Sequence, residues 1–209
     1  MIDTKGIIRS HHFGEGEYEE SERQIQQLLA ENHDGKVIPS GFVDIQARGA
    51  QAPSTGSNVE SPETYIGYSR SEHQVLIPNL KRDQVENYLL PSSLRLNEWS
   101  MSGRWKIEDE KAILIKTSGK IVFRFHARDL HLVLGPGKTG KPIHFIVRLD
   151  GIAPNNNHGS DTDAEGQGSI REQRLYQLIR QQQAGILEDH MFEIEFLDPG
   201  VEAFAFTFG

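Results

Sequence analysis

The chain has 209 residues, 36% of them hydrophobic and 25% charged, enough apolar material to bury the core of one ordinary domain with a smaller piece attached. It has no cysteine, which excludes disulfides, thiolate metal sites, Fe–S clusters, thiol nucleophiles and a redox C-x-x-C motif within the chain. Its 30 acidic against 22 basic side chains give a net charge of −8, which argues against a nucleic-acid partner, and no stretch is apolar enough to suggest a membrane span.

In chain order, Gly6-Ile7-Ile8-Arg9 predicts a short strand, Phe13-Gly14-Glu15-Gly16 a turn, and residues 18–32 a helix. Ile25, Leu28 and Leu29 fall at i, i+3 and i+4 and make one narrow apolar stripe on that helix. Ser21 with Gln24 fits a capping box, while Glu17, Glu19 and Glu20 suit an earlier start at the positive end of the helix dipole. A lone strand and helix cannot bury a core, so this piece is expected to pack on the rest of the chain, on a partner, or on a second copy through the helix. The first nine residues contain no export signal, although Met1 could equally begin an excised piece.

Residues 47–62 carry no large apolar side chain except Val59 and read as a linker or surface loop. The expected organisation is a strand–helix segment over 1–33, a linker over 34–62 and a mainly β domain over 63–209. In that domain, strands are predicted at 64–68, 103–107, 111–116, 120–127, 130–134, 142–150, 169–180, 191–197 and 202–208. Many short strands at this spacing predict an antiparallel β-sandwich or jelly roll.

Alternation assigns the faces. Ile143, Phe145, Val147 and Leu149 share one face, as do Phe192, Ile194 and Phe196, and Phe204, Phe206 and Phe208. These are core residues first, since burying one Phe contributes about 1.5–3 kcal/mol. Parity changes between Ile121, Phe123, Phe125 and Leu130, Leu132, Leu134, so a bulge or sheet corner is predicted at Ala127-Arg128.

Four patterns invite a chemical reading. Gly135-Pro136-Gly137-Lys138-Thr139-Gly140-Lys141 begins like a phosphate loop, but Pro142 stands where a Mg²⁺-binding hydroxyl is needed and a strand follows where a helix should. Asp161, Asp163, Glu165 and Glu172 occupy positions 1, 3, 5 and 12 of a calcium loop with Gly166 at position 6, which competes with a simple turn between strands. Trp99 and Trp105 flank Met101-Ser102-Gly103 and are candidate sugar-stacking rings, with core packing as the rival reading. Glu193 and Glu195, two residues apart on one strand face, could serve a glycan hydrolase or simply face solvent. Nine scattered histidines show no metal-ligand spacing and no G-x-S-x-G elbow exists, so no catalytic residue is assigned and no cofactor beyond calcium is suggested.

Gly6-Ile7-Ile8-Arg9 with His11-His12-Phe13-Gly14-Glu15-Gly16-Glu17-Tyr18 resembles the closing strand and last helix of the thioredoxin-like domain in DipZ-type thiol–disulfide proteins. Ser61-Pro62-Glu63-Thr64-Tyr65-Ile66-Gly67-Tyr68, Phe125-His126-Ala127-Arg128-Asp129-Leu130, Arg174-Leu175-Tyr176-Gln177-Leu178-Ile179 and the run from Phe192 through Asp198-Pro199-Gly200 to Phe204 resemble the C-terminal domain of that family. The resemblance implies a sandwich similar to carbohydrate-binding modules, following a thioredoxin-like domain that acts outside the cytoplasmic membrane. The family's C-x-x-C has no counterpart here, so the chain is expected to be the tail of such a protein, cut downstream of its redox centre. The function expected is a non-catalytic accessory module that engages a partner protein or a cell-envelope glycan. A glycan-active enzyme and a structural or dimerisation module are the alternatives.

Overall fold

The computed structural model describes residues 1–11, 18–31, 41–42, 59–182 and 188–209. The expected turn at 13–16 and most of the expected linker lie outside them. The chain divides into two compact units, Met1–Gly56 and Ser57–Gly209.

In the first unit, α1 spans Tyr18–Ala30. It starts before Ser21, so the capping-box reading fails; Glu19 and Glu20 occupy the first turn, where the exposed N–H groups favour negative charge. The expected strand at 6–9 is reduced to one antiparallel bridge between Ile2 and Ile8. Asp3 turns the chain there, its Oδ1 accepting the N–H groups of Lys5 and Ile7, both at 2.9 Å. Arg9 donates both terminal nitrogens to Glu31, at 2.7 and 2.8 Å, and so ties this turn to the end of the helix. No described residue of α1 is buried, and Ile25 and Leu29 of the apolar stripe are 48% and 45% exposed.

The second unit is mainly β and antiparallel. Its strands are β1 Thr64–Tyr65, β2 Val85–Tyr88, β3 Trp99–Ile107, β4 Ala112–Phe125, β5 Asp129–Gly135, β6 Ile143–Leu149, β7 Gln167–Ile170, β8 Arg174–Arg180, β9 His190–Phe196 and β10 Glu202–Phe208. They form one sheet in the order β7-β6-β9-β4-β10-β5-β8, with β3 and β2 added to β4, and β1 to β10. Strand β4 belongs to both halves: residues 119–125 pair with β9, whereas Ala112 and Ile113 pair with β10. The sheet therefore folds over along β3 and β4. Glycines permit the bend. Gly103 (φ 99°) sits at a register shift, where a Cβ would stand 3.0 Å from Gly119 Cα, and a Cβ on Gly119 would meet Leu114 at 2.2 Å.

The curled sheet closes on its own aromatic face. Phe123 of β4 and Phe206 of β10 are not ladder partners, yet their rings lie 4.9 Å apart, and Phe192 of β9 meets Phe206 edge-on at 6.0 Å. The parity change marks the crossing between the two layers. Phe125 ends the part of β4 paired to β9, residues 126–128 cross over, and Leu130 begins the run of β5 paired to β10 and β8. At that corner Asp129, 2% exposed, accepts from Arg128 Nε at 2.9 Å and Arg180 Nε at 2.8 Å. A buried carboxylate is tolerable because two guanidiniums neutralise and hydrogen-bond it.

Several boundaries differ from expectation: β1 ends at Tyr65, and β3 begins at Trp99, four residues before the expected start. The segments 111–116 and 120–127 are one bent strand, because pairing with β3 continues through the glycine bend. The segment 169–180 is two strands, separated by a turn that Tyr176 holds, its hydroxyl accepting Arg171 N–H at 3.1 Å and donating to Glu172 O at 2.9 Å. Strand β2 was not expected, since Val85-Glu86-Asn87-Tyr88 is short and polar; Tyr88 anchors it with a fully buried ring.

Candidate functional site

Trp99 and Trp105 cannot stack on a sugar as placed. Both are 0% exposed, on the face of β3 that also buries Met101 and Ile107. Their indole N–H groups are spent internally, Trp99 on Glu72 O at 3.0 Å and Trp105 on Ser102 O at 2.8 Å. Trp105 packs edge-on against Phe196 at 5.9 Å. Alternation along β3 puts large rings inward, which is the core-packing alternative.

Two carboxylates of the candidate calcium loop are engaged by partners within the chain. Asp161 gives both oxygens to Arg174, at 2.7 and 2.9 Å, and accepts Gln177 N–H at 2.8 Å. Asp163 accepts Gln167 N–H at 2.7 Å and shapes the turn into β7. Glu165 is exposed, and Glu172, 73% exposed, lies 3.3 Å from Arg174 Nε. Among the described residues no group of three or more His, Asp or Glu side chains converges as a metal site. Gly135 ends β5, and residues 136–142 connect it to β6 through a 3₁₀ turn at Gly137–Thr139. Glu193 and Glu195 share Lys120, at 2.9 and 3.3 Å, on the outer face of the sheet, and this pairing raises the lysine's pKa, the hydrogen bond to Glu193 being the main cause.

The structure instead builds a concave site at one end of the second unit. Strands β6 and β9 are neighbours, with Leu149 opposite Phe192, so the turn after β6 lies beside the start of β9. Asp150 (φ 52°) and Gly151 (φ 79°) make that turn, and a 3₁₀ turn at Asn155–Asn157 follows. At the end of β8, a bridge between His158 and Ile179 and a hydrogen bond from Gln182 N–H to Asn157 Oδ1, at 3.1 Å, bring Gln181 and Gln182 to the same place. The resulting cleft, about 570 Å³, is lined among others by Asp150, Ile152, Asn156, Gln182, Glu188 and His190. Such a volume accommodates one or two sugar rings or a short peptide.

Its electrostatics are set by carboxylates. Asp150 Oδ1 accepts Met191 N–H at 2.8 Å and its Oδ2 lies 2.6 Å from His190 Nδ1, which fixes the imidazole at the rim. Beside it, Asp189 lies 3.0 Å from His126 Nδ1 and 3.4 Å from Arg124; the His126 ring foremost, and Arg124 with it, hold this carboxyl below its usual range. Ile152, 65% exposed, supplies an apolar patch among amides. Sequence reasoning missed this site because its parts lie in three loops. Asp150-Gly151 and Asn155-Asn156-Asn157 each read as turn residues, and nothing local links them to Glu188 or His190.

The second unit is thus an antiparallel β-module that has a polar terminal cleft and no thiol. The profile of the family described as "Thioredoxin like C-terminal domain" matches residues 61–209, and the chain belongs to that family. It is 28% identical over 152 residues to the protein DipZ of Mycobacterium bovis (strain ATCC BAA-935 / AF2122/97), and equally to that of Mycobacterium tuberculosis (strain CDC 1551 / Oshkosh). Each match covers 68% of this chain and 20% of the relative, so the chain spans about a fifth of the length of these proteins. No described helix is long and apolar enough to cross a membrane.

Proposed function

We propose that this chain is a non-catalytic binding module of a thioredoxin-like thiol–disulfide protein, that it works outside the cytoplasmic membrane, and that it holds a cell-envelope glycan in the terminal cleft. The observation that carries the reading is the cleft itself. Carboxylates, side-chain amides and an imidazole line a concavity of sugar size, with one exposed aliphatic side chain among them. Such groups match hydroxyls that donate and accept on every side of a ring. A protein partner would favour a broader, more apolar face. The family and the mycobacterial DipZ relatives support the thiol–disulfide context, and the cysteine-free sequence supports a binding role over a redox one.

The test is to titrate the chain with β-1,4-linked oligosaccharides while recording backbone amide spectra and assaying for new reducing ends. Saturable shifts around Asp150 and His190 without new reducing ends are expected. The double variant Glu193→Gln, Glu195→Gln should bind equally well. Reducing ends that appear with the native chain and vanish in that variant would replace this reading with a hydrolase. Shifts caused only by an unfolded client polypeptide would replace the glycan with a protein.

A further inference from the structure

The charged side chains among the described lining of the cleft are carboxylates, with no lysine or arginine. We propose that the cleft selects sugars by charge, accepting uncharged and amino-bearing pyranoses and discriminating against uronates. This rests on the glycan reading above and adds the substrate class.

Two observations carry it. Asp150 and Glu188 line the cleft, and no lysine or arginine is among the described residues that line it. The nearby cations are committed elsewhere: Arg124 to Asp189, and Arg180 to Asp129. A carboxylate on the ligand would enter a concavity that already holds carboxylates, with no guanidinium or ammonium among the described lining residues to receive it, in a chain of net charge −8.

The same groups suit uncharged and cationic rings. A hydroxyl donating to Asp150 or Glu188 makes a charge-assisted hydrogen bond, and an ammonium in its place makes a stronger one. Asn156 and Gln182 can donate to ring and hydroxyl oxygens, and Ile152 can lie against the C–H face of a pyranose. Since the exposed carboxylates are screened over about 10 Å at 0.1 M salt, discrimination should be greatest at low ionic strength.

The experiment uses the full chain and four matched β-1,4-linked trimers, of glucose, N-acetylglucosamine, glucosamine and glucuronate, titrated at low and at moderate salt by amide-shift perturbation. The expected result is saturation at Asp150, Ile152, Gln182 and His190 with at least one uncharged trimer. Glucosamine should bind as tightly or more tightly, and glucuronate at least about tenfold more weakly, a gap that narrows with salt. In Glu188→Gln, whose side chain carries no ion pair among the described residues, the gap should shrink several-fold while the spectrum stays native. Glucuronate binding as tightly as the uncharged trimers, or a gap unchanged in Glu188→Gln, overturns charge selection and leaves the glycan reading standing. If none of the four binds, the glycan reading falls and this inference falls with it.

Discussion

Two sets of acidic residues in the same β-module behave differently. Asp129 and Asp161 are enclosed by arginines and backbone N–H groups, whereas Asp150 and Glu188 turn toward a cleft. Composition does not separate them. Asp161 lies in the segment that most resembles a ligand loop, yet each of its oxygens is occupied by Arg174. Glu188 stands in a run with no motif, is exposed, and lines the cleft. A carboxylate makes a site when the fold leaves its lone pairs unspent, and that depends on partners distant in sequence, such as Arg174 thirteen residues beyond Asp161.

The largest effect should come from the most enclosed member. Asp129→Ala would leave Arg128 and Arg180 without their buried counter-ion, at side-chain exposures of 18% and 22%. Removing one partner of such a cluster costs about 3–5 kcal/mol, to be read from chemical denaturation midpoints. A loss under 1 kcal/mol would mean that Asp129 is as dispensable as a surface acid, and the contrast with the cleft would fail.

His131, on the same strand, sharpens the contrast through pH. It is 4% exposed, faces Gln177 across the β5–β8 ladder, and its Nδ1 has no hydrogen-bond partner among the described residues; burial pushes its pKa down to about 4, against a partial opposing pull from Asp129. Its unfolded value is about 6.5, so between these limits the unfolded chain binds the proton more readily. Stability contributed at neutral pH should therefore fall as pH drops from about 6.5 toward 4, by at most about 1.4 kcal/mol per pH unit, and level off below. His131→Gln should flatten this part of the stability–pH curve. An unchanged curve would show that the imidazole is solvated and that this face of the sheet is open.

Much of the fold could be read from alternation because core residues at every second position need only local information. Phe123, Phe192 and Phe206 were placed inward, and the parity change before Leu130 located the corner between layers. The bend in β4 was not legible, since it depends on Gly103 approaching Gly119 from another strand. Trp99 and Trp105 went the other way. Their spacing fits both a stacking platform and a core face, and only the neighbours across the sheet decide. The cleft was least legible of all, because Asp150, Gln182 and Glu188 are joined by ladder register between β6, β8 and β9 and by no local pattern.

Asp161→Ala should have an intermediate effect. It removes a bidentate pair and the carboxylate oxygen that accepts Gln177 N–H, at a side chain that is 18% exposed, costing about 1.5–3 kcal/mol, and should loosen the turn into β7. Millimolar calcium should leave the melting temperature of the native chain unchanged, because displacing Arg174 would forfeit those bonds. A rise in melting temperature that Asp161→Ala abolishes would restore the calcium loop.

The smallest effect belongs to Glu188→Gln. Its carboxylate is exposed and makes no ion pair among the described residues, so its loss should change stability by no more than about 0.5 kcal/mol. That near-silence gives the substitution its use: a variant that folds as the native chain does but loses charge discrimination places the role of Glu188 in binding, while Asp161→Ala should show the reverse. If Glu188→Gln instead destabilises the module by more than 1 kcal/mol, Glu188 is a structural acid like Asp161. The cleft would then retain only Asp150, itself partly spent on Met191 N–H and the His190 ring, as a carboxylate available to a ligand.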